Sequence, residues 1–182
     1  MSSAVVILAD GFEEIEAVTQ IDVLRRAGVE VTVAGLTTGV ITGAHGLGVE
    51  TDMELGGLDF EADLIVLPGG MPGSANLGKS ETVVSMLQDQ FDAGRKIGAI
   101  CAAPAYAPVA AGVLSGKRAT CYPSFEKRFN SSTIAVEDRV VVDGNVITSR
   151  GPGTALEFAL VLVEELVGQE KADEIRVAML VD

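Results

Sequence analysis

The sequence predicts an α/β fold with a mostly parallel central sheet. Three observations carry that prediction. Short β-branched runs alternate with longer amphipathic segments, the pattern of βα units. The runs are almost continuously apolar, as strands covered on both faces are. The chain has 182 residues, 48% of them hydrophobic, enough for one well-filled core but not for two. Residues 1–182 are therefore read as a single domain.

The first run, residues 4–9, leads into a helix over 13–27. Arg25 and Arg26 fall in its last turn and Gly28 follows, so cations meet the helix C-terminus and a glycine takes the left-handed stop. The second strand covers 29–35. Residues 37–59 are rich in Gly and Thr and alternate weakly, which predicts short antiparallel strands or an edge hairpin. A third apolar run at 63–68 precedes a helix over 76–93 that stops at Gly94. The fourth, 96–101, precedes a helix over 103–112. Val140–Val142 and Val146–Ser149 flank Asp143-Gly144-Asn145, and Asp-Gly between apolar runs is a strong hairpin signal. Helices over 153–167 and 171–177 complete the chain.

Charge and composition narrow the function. A formal net charge of −13 excludes the basic patches that grip nucleic acid or anionic lipid. The excess of acid solvates the surface. No apolar run reaches the ~18–20 residues of a membrane span, and the first residues lack a basic flank and cleavage site, so a cytoplasmic protein is expected. Two cysteines in so apolar a chain need not form a staple, and Cys101 and Cys121 are read as thiols.

In open parallel sheets, ligands bind beyond the carboxyl ends of the strands. Four loops lie there: Asp10 to Glu16, Gly69-Gly70, Ala102-Ala103, and Arg150 to Thr154. Cys101 sits where an apolar strand turns into a helix among small residues, the layout of a nucleophile elbow. The positive end of that helix favours thiolate and predicts a depressed pKa. Gly69 and Gly70 let a backbone N–H face a neighbouring loop, and such a donor with the Ala102 N–H would hold an oxyanion. Glu13, Glu14 and Glu16 share the first turn of the first helix. One of them, pointing inward and desolvated, would hold a proton shared with the thiolate; spacing does not choose among the three.

Other chemistry finds little support. His45 is the single histidine, and its glycine-rich surroundings are not a dinucleotide fingerprint. The cysteines are not in a CxxC pattern, so no metal is expected. Walker and GxSxG motifs are absent. Cys121 is read as a core residue.

The segments Ala9-Asp10-Gly11-Phe12-Glu13-Glu14-Ile15-Glu16, Leu67-Pro68-Gly69-Gly70, Ala99-Ile100-Cys101-Ala102-Ala103-Pro104 and Thr148-Ser149-Arg150-Gly151-Pro152-Gly153-Thr154 together resemble the ThiJ/PfpI superfamily. Within it, the resemblance is to the branch of the Parkinson-associated protein deglycase and bacterial ThiJ-like proteins, and it runs almost end to end. It implies a flavodoxin-like three-layer sandwich, a homodimer, Cys101 as the reactive cysteine and Glu16 as the crevice glutamate. Gly70 and Ala102 then supply the backbone amides that face the sulfur.

The same resemblance implies a cofactor-independent glyoxalase or deglycase acting on methylglyoxal, other small aldehydes or early glycation adducts. It equally implies a redox-sensing chaperone that works through oxidation of the same thiol. Two departures bear on mechanism. Tyr122 stands where many relatives carry a histidine near the cysteine, so a Cys-His dyad is unsupported. Ala102 follows Cys101 where protease-type members have histidine, and no histidine lies beyond His45; peptidase and glutaminase activities are disfavoured. The acid/base group is then Glu16 or water, with His45 reaching in from a neighbouring loop or subunit as a weaker alternative.

Overall fold

A computed structural model describes residues 1–181. Strand β1 (Ser3–Leu8) is followed by helix α1 (Glu14–Arg26) and β2 (Glu30–Gly35). A hairpin of β3 (Val40–Thr42) and β4 (Gly48–Glu50) and a two-residue strand β5 (Met53–Glu54) come next. Then follow β6 (Leu64–Leu67), α2 (Gly73–Lys79), α3 (Glu81–Asp92), β7 (Lys96–Ile100) and the short α4 (Ala107–Ala110). The chain closes with β8 (Arg118–Ala119), β9 (Ile134–Ala135), β10 (Val140–Asp143), β11 (Val146–Ser149), α5 (Ala155–Val167) and α6 (Gln169–Ala178).

Seven strands form the main sheet in the order β10-β11-β7-β6-β1-β2-β5. All neighbours are parallel except β10 with β11. The sheet separates two apolar layers. One, holding Val6, Leu24, Phe158 and Leu162, lies under α1, α5 and α6; the other, holding Ile7, Leu67, Leu77 and Leu87, lies under α2, α3 and α4. This is the predicted three-layer arrangement, with near-fully buried central strands such as β6. No helix among the described residues is long and apolar enough to cross a membrane.

The 37–59 segment forms the expected antiparallel hairpin, and β5 then adds to the main sheet parallel to β2. Gly28 and Gly94 end their helices with φ of +78° and +71°. Two predicted helices are divided. The 76–93 segment is two helices because Ser80 caps the second, its Oγ accepting from the Val83 N–H. The 103–112 segment is a 3₁₀ turn (Ala103–Ala105) followed by α4, with a break at Tyr106 (φ −121°, ψ −93°). Pro108 lacks the N–H that a continuous helix needs there, whereas Pro104 falls in the first turn, where none is required. The β8–β9 pair was not foreseen, being only two residues per strand.

From β1 the chain moves outward to β2, and then returns to place β6 on the opposite side of β1. The loops after β1 and β6 therefore diverge, opening a crevice at the carboxyl ends of the strands. The loops after β7 and β11 reach the same end.

Candidate active site

The site begins with an unusual backbone. Cys101, directly after β7, has φ of +64°, a left-handed conformation that costs a non-glycine residue about 1–3 kcal/mol. Hydrogen bonds on both sides hold it there. Its N–H donates to the Ser149 carbonyl at 3.0 Å, and its carbonyl accepts from the Tyr122 N–H at 2.8 Å. This is the predicted elbow, and it turns the side chain into the crevice.

Glycines make the opposite wall. A Cβ on Gly69 would lie 2.4 Å from the Cβ of Cys101 and 2.6 Å from Oε2 of Glu16. Gly70 has φ of +89°, and a Cβ there would lie 2.3 Å from the Glu13 nitrogen. Neither position has room for any other residue. The Gly70 and Ala102 N–H groups are near enough to pull the Cys101 pKa down, the side on which the sequence placed them.

Glu16, on the first turn of α1, is fully buried. Its Oε2 accepts from the Gly69 N–H at 2.7 Å, while Oε1 has no partner of good hydrogen-bond geometry. The carboxyl as a whole interacts with the Cys101 side chain. Burial, opposed by the Gly69 and Cys101 hydrogen bonds, pushes the Glu16 acid up to about 8. Of the three first-turn glutamates, the structure brings only Glu16 to the sulfur.

The expected depression of the thiol pKa is not found. Burial and then the adjacent Glu16 charge push Cys101 up to about 12, against the pull of the Gly70 and Ala102 N–H groups. Two physical causes correct the expectation. The break at Tyr106 leaves one 3₁₀ turn where a long helix was predicted, so little macrodipole accumulates behind the sulfur. The carboxyl lies so close that two negative charges cannot coexist. With the carboxyl raised to about 8 and the thiol to about 12, the pair keeps both protons below about 8 and carries a single negative charge, favoured on the carboxylate, above it.

The remaining candidates lie apart. His45 is 74% exposed, and its Nδ1 is 2.8 Å from Oε2 of Glu14. Its N–H donates to Oε1 of Glu14 at 2.6 Å, pinning the β3–β4 turn to α1. Burial pushes the Glu14 carboxyl up, but the His45 and Leu47 donors outweigh it and leave the pKa lowered. The pairing with Glu14 raises that of His45. Tyr122 packs its ring on Gly151 and edge-on to Phe125. Cys121 is buried, as expected of a core residue, and borders a separate cavity of about 310 Å³ beside Arg150 and Glu126. Both cysteines are free thiols.

Sequence reasoning missed the two anchoring contacts, Gly69 to Glu16 and Glu14 to the hairpin. The paired glycines were the signal for the first. For the second no local signal exists, because the partners are far apart in sequence.

The sequence model of the DJ-1/PfpI family matches residues 2–165. Protein dj-1beta of Drosophila melanogaster is 47% identical over 182 residues, covering 98% of this chain and 97% of its own length. The chain spans less than half the length of two Arabidopsis thaliana relatives, Protein DJ-1 homolog B (39%) and homolog A (45%), at 46% and 47% identity. The glutathione-independent glyoxalase DJR-1.2 of Caenorhabditis elegans is 37% identical over 176 residues, covering 96% of this chain and 93% of its own. The crystal structure of Drosophila melanogaster DJ-1beta superposes with a TM-score of 0.96 at 46% identity, covering 100% of both chains. That of oxidized Toxoplasma gondii DJ-1 gives 0.95 at 38%, covering 99% and 98%. The chain belongs to the DJ-1/PfpI family, the grouping that its elbow, paired glycines and buried first-turn glutamate had indicated.

Proposed function

We propose that this chain is a cofactor-independent glyoxalase that also acts on early glycation adducts. The observation that carries the reading is the pair formed by Cys101 on its left-handed elbow and the buried Glu16, with one negative charge between them. The relative that is a glutathione-independent glyoxalase supports the same reaction class.

The geometry supports the following reaction. With the shared proton on Glu16, the Cys101 thiolate adds to the aldehyde carbon of methylglyoxal. The new oxyanion meets the Gly70 and Ala102 N–H groups and takes the Glu16 proton, giving a hemithioacetal. The Glu16 carboxylate then removes the hydrogen on C1 and electrons move to the C2 oxygen; the C1 hydroxyl proton passes to that oxygen, the C1 carbonyl re-forms, and the Glu16 acid delivers its proton to C2. A lactoyl thioester results. Water hydrolyses it, releasing lactate and the thiol, so methylglyoxal and water together account for every atom of the product. Proton transfer of this kind contributes about 10²–10⁴-fold. A lactate assay on wild type and Cys101→Ser tests the proposal; turnover persisting in the variant overturns it.

A second reading, redox sensing with a chaperone role, rests on the unpartnered Oε1 of Glu16. A protonated Oε1 has a hydrogen bond to give to an oxygen placed on the sulfur. Two hydroperoxides would convert the thiolate to sulfinate, each reduced to its alcohol or water. A clean gain of two oxygens on Cys101 in a protein without glyoxalase turnover would favour this reading over the first.

A homodimer is also proposed. Ile15 and Val18 are exposed on α1, and Val40 and Leu47 on the adjoining hairpin; a second copy would cover them.

A further inference from the structure

Outside the crevice, the start of α1 meets the β3–β4 hairpin at three side chains. Nδ1 of His45 lies 2.8 Å from Oε2 of Glu14 and 3.6 Å from Oε2 of Glu13. The three ligand atoms all fall within 4.8 Å of one another. Glu14 is aimed from behind, since its Oε1 accepts from the N–H groups of His45 and Leu47. Glu13 differs. Its side chain is 12% exposed, and its Oε2 faces the imidazole without a protein hydrogen-bond donor among the described residues.

Two glutamates in a first helical turn are explained by the helix dipole. The dipole does not explain why both carboxylates converge on an imidazole carried by a different element.

We propose that Glu13, Glu14 and His45 bind one divalent transition metal of the zinc or copper(II) class. Bonds of about 2.0–2.2 Å set neighbouring ligand atoms about 2.9–3.5 Å apart. The two distances from the imidazole, 2.8 and 3.6 Å, bracket that range, and the two carboxylate oxygens lie within 4.8 Å of each other. One ring nitrogen with two carboxylate oxygens suits zinc or copper(II), whereas calcium and magnesium take oxygen donors. The metal takes the place of the hydrogen between Nδ1 and Oε2, which leaves as a proton while the ring keeps its Nε2 hydrogen. Water completes the coordination on the exposed side of His45. The formal charge of −13 draws cations toward the surface.

The test uses the full chain with both cysteines changed to serine, so that no thiol competes. Zinc(II) is titrated by calorimetry, and copper(II) is followed by electron paramagnetic resonance. One zinc per chain is expected, with copper showing the splitting of a single nitrogen. His45→Ala, which removes an exposed side chain, and Glu13→Gln each weaken zinc binding at least tenfold and abolish the nitrogen splitting. Glu50→Gln, on the same hairpin but outside the cluster, leaves both unchanged. Zinc affinity unaltered by His45→Ala, or the absence of a one-to-one binding step, overturns the proposal. Because the crevice thiol takes no part, either result is independent of glyoxalase turnover.

Discussion

The backbone N–H of Gly69 donates to Oε2 of Glu16 across 2.7 Å, and this bond fixes the acid against the sulfur from the neighbouring loop. Gly69→Ala would push a methyl group into both Cys101 and Glu16. We expect the substitution to lower turnover by more than 100-fold and to destabilise the fold by about 1–3 kcal/mol, the range for overpacking. Lactate formation and chemical denaturation measure the two effects; full activity would show that the spacing is not required.

Cys101→Ser should abolish lactate formation. Glu16→Gln keeps the shape but cannot accept the C1 proton, and a loss of about 10²–10⁴-fold is expected. Product analysis by NMR in heavy water separates the steps: hydrogen carried by Glu16 exchanges with solvent, so deuterium appears on C2 of lactate in wild type.

The pH profile follows from the shared charge. Below about 8 the pair holds both protons and lacks a nucleophile; above it one proton is gone. Turnover at saturating methylglyoxal should rise with pH through a midpoint near 8. In Glu16→Gln that midpoint disappears, and a profile unchanged by the substitution would assign the ionisation elsewhere.

Stability should move in the opposite direction. Glu16 in the fold is raised to about 8 from the ordinary 4.5, so the folded chain keeps a proton that the unfolded chain has released. The stabilising contribution is complete below 4.5 and is lost as pH rises through about 8. Between those values the slope approaches about 1.4 kcal/mol per pH unit. Denaturant titrations of wild type and Glu16→Gln across this window should diverge by that slope, with the variant gaining on wild type as pH rises.

Val18→Glu places a charge on the exposed apolar strip of α1 and should convert a dimer to monomers by sedimentation. Wild type sedimenting as a monomer would remove the proposed interface.

Much of this arrangement is legible in the sequence. The strands announce themselves as apolar runs, and small residues around Cys101 announce the elbow, because both signals are local. The division at Ser80 and the break at Tyr106 also have local causes, a cap and Pro108, which the longer apolar periodicity concealed. The ionisation of the thiol is different in kind. It depends on how deeply Glu16 is buried and on which amides meet it, and these are set only when β1, β6 and β7 lie side by side. The Glu14 clamp on His45 likewise requires the hairpin to fold back on α1. Backbone donors such as Gly69 leave no trace in side-chain identity beyond the absence of a side chain.

The short turn after Cys101 has a consequence for how the protein meets indiscriminate electrophiles. With little helix behind it to favour thiolate, the sulfur is held protonated by burial and by the neighbouring Glu16 charge, and in the unfolded chain it reverts to an ordinary cysteine, more acidic than in the fold. Small alkylating agents should therefore label nascent or unfolded chains faster than native ones. Assembly of the domain shields this atom from casual damage and reserves it for a reactant that fits between the two walls.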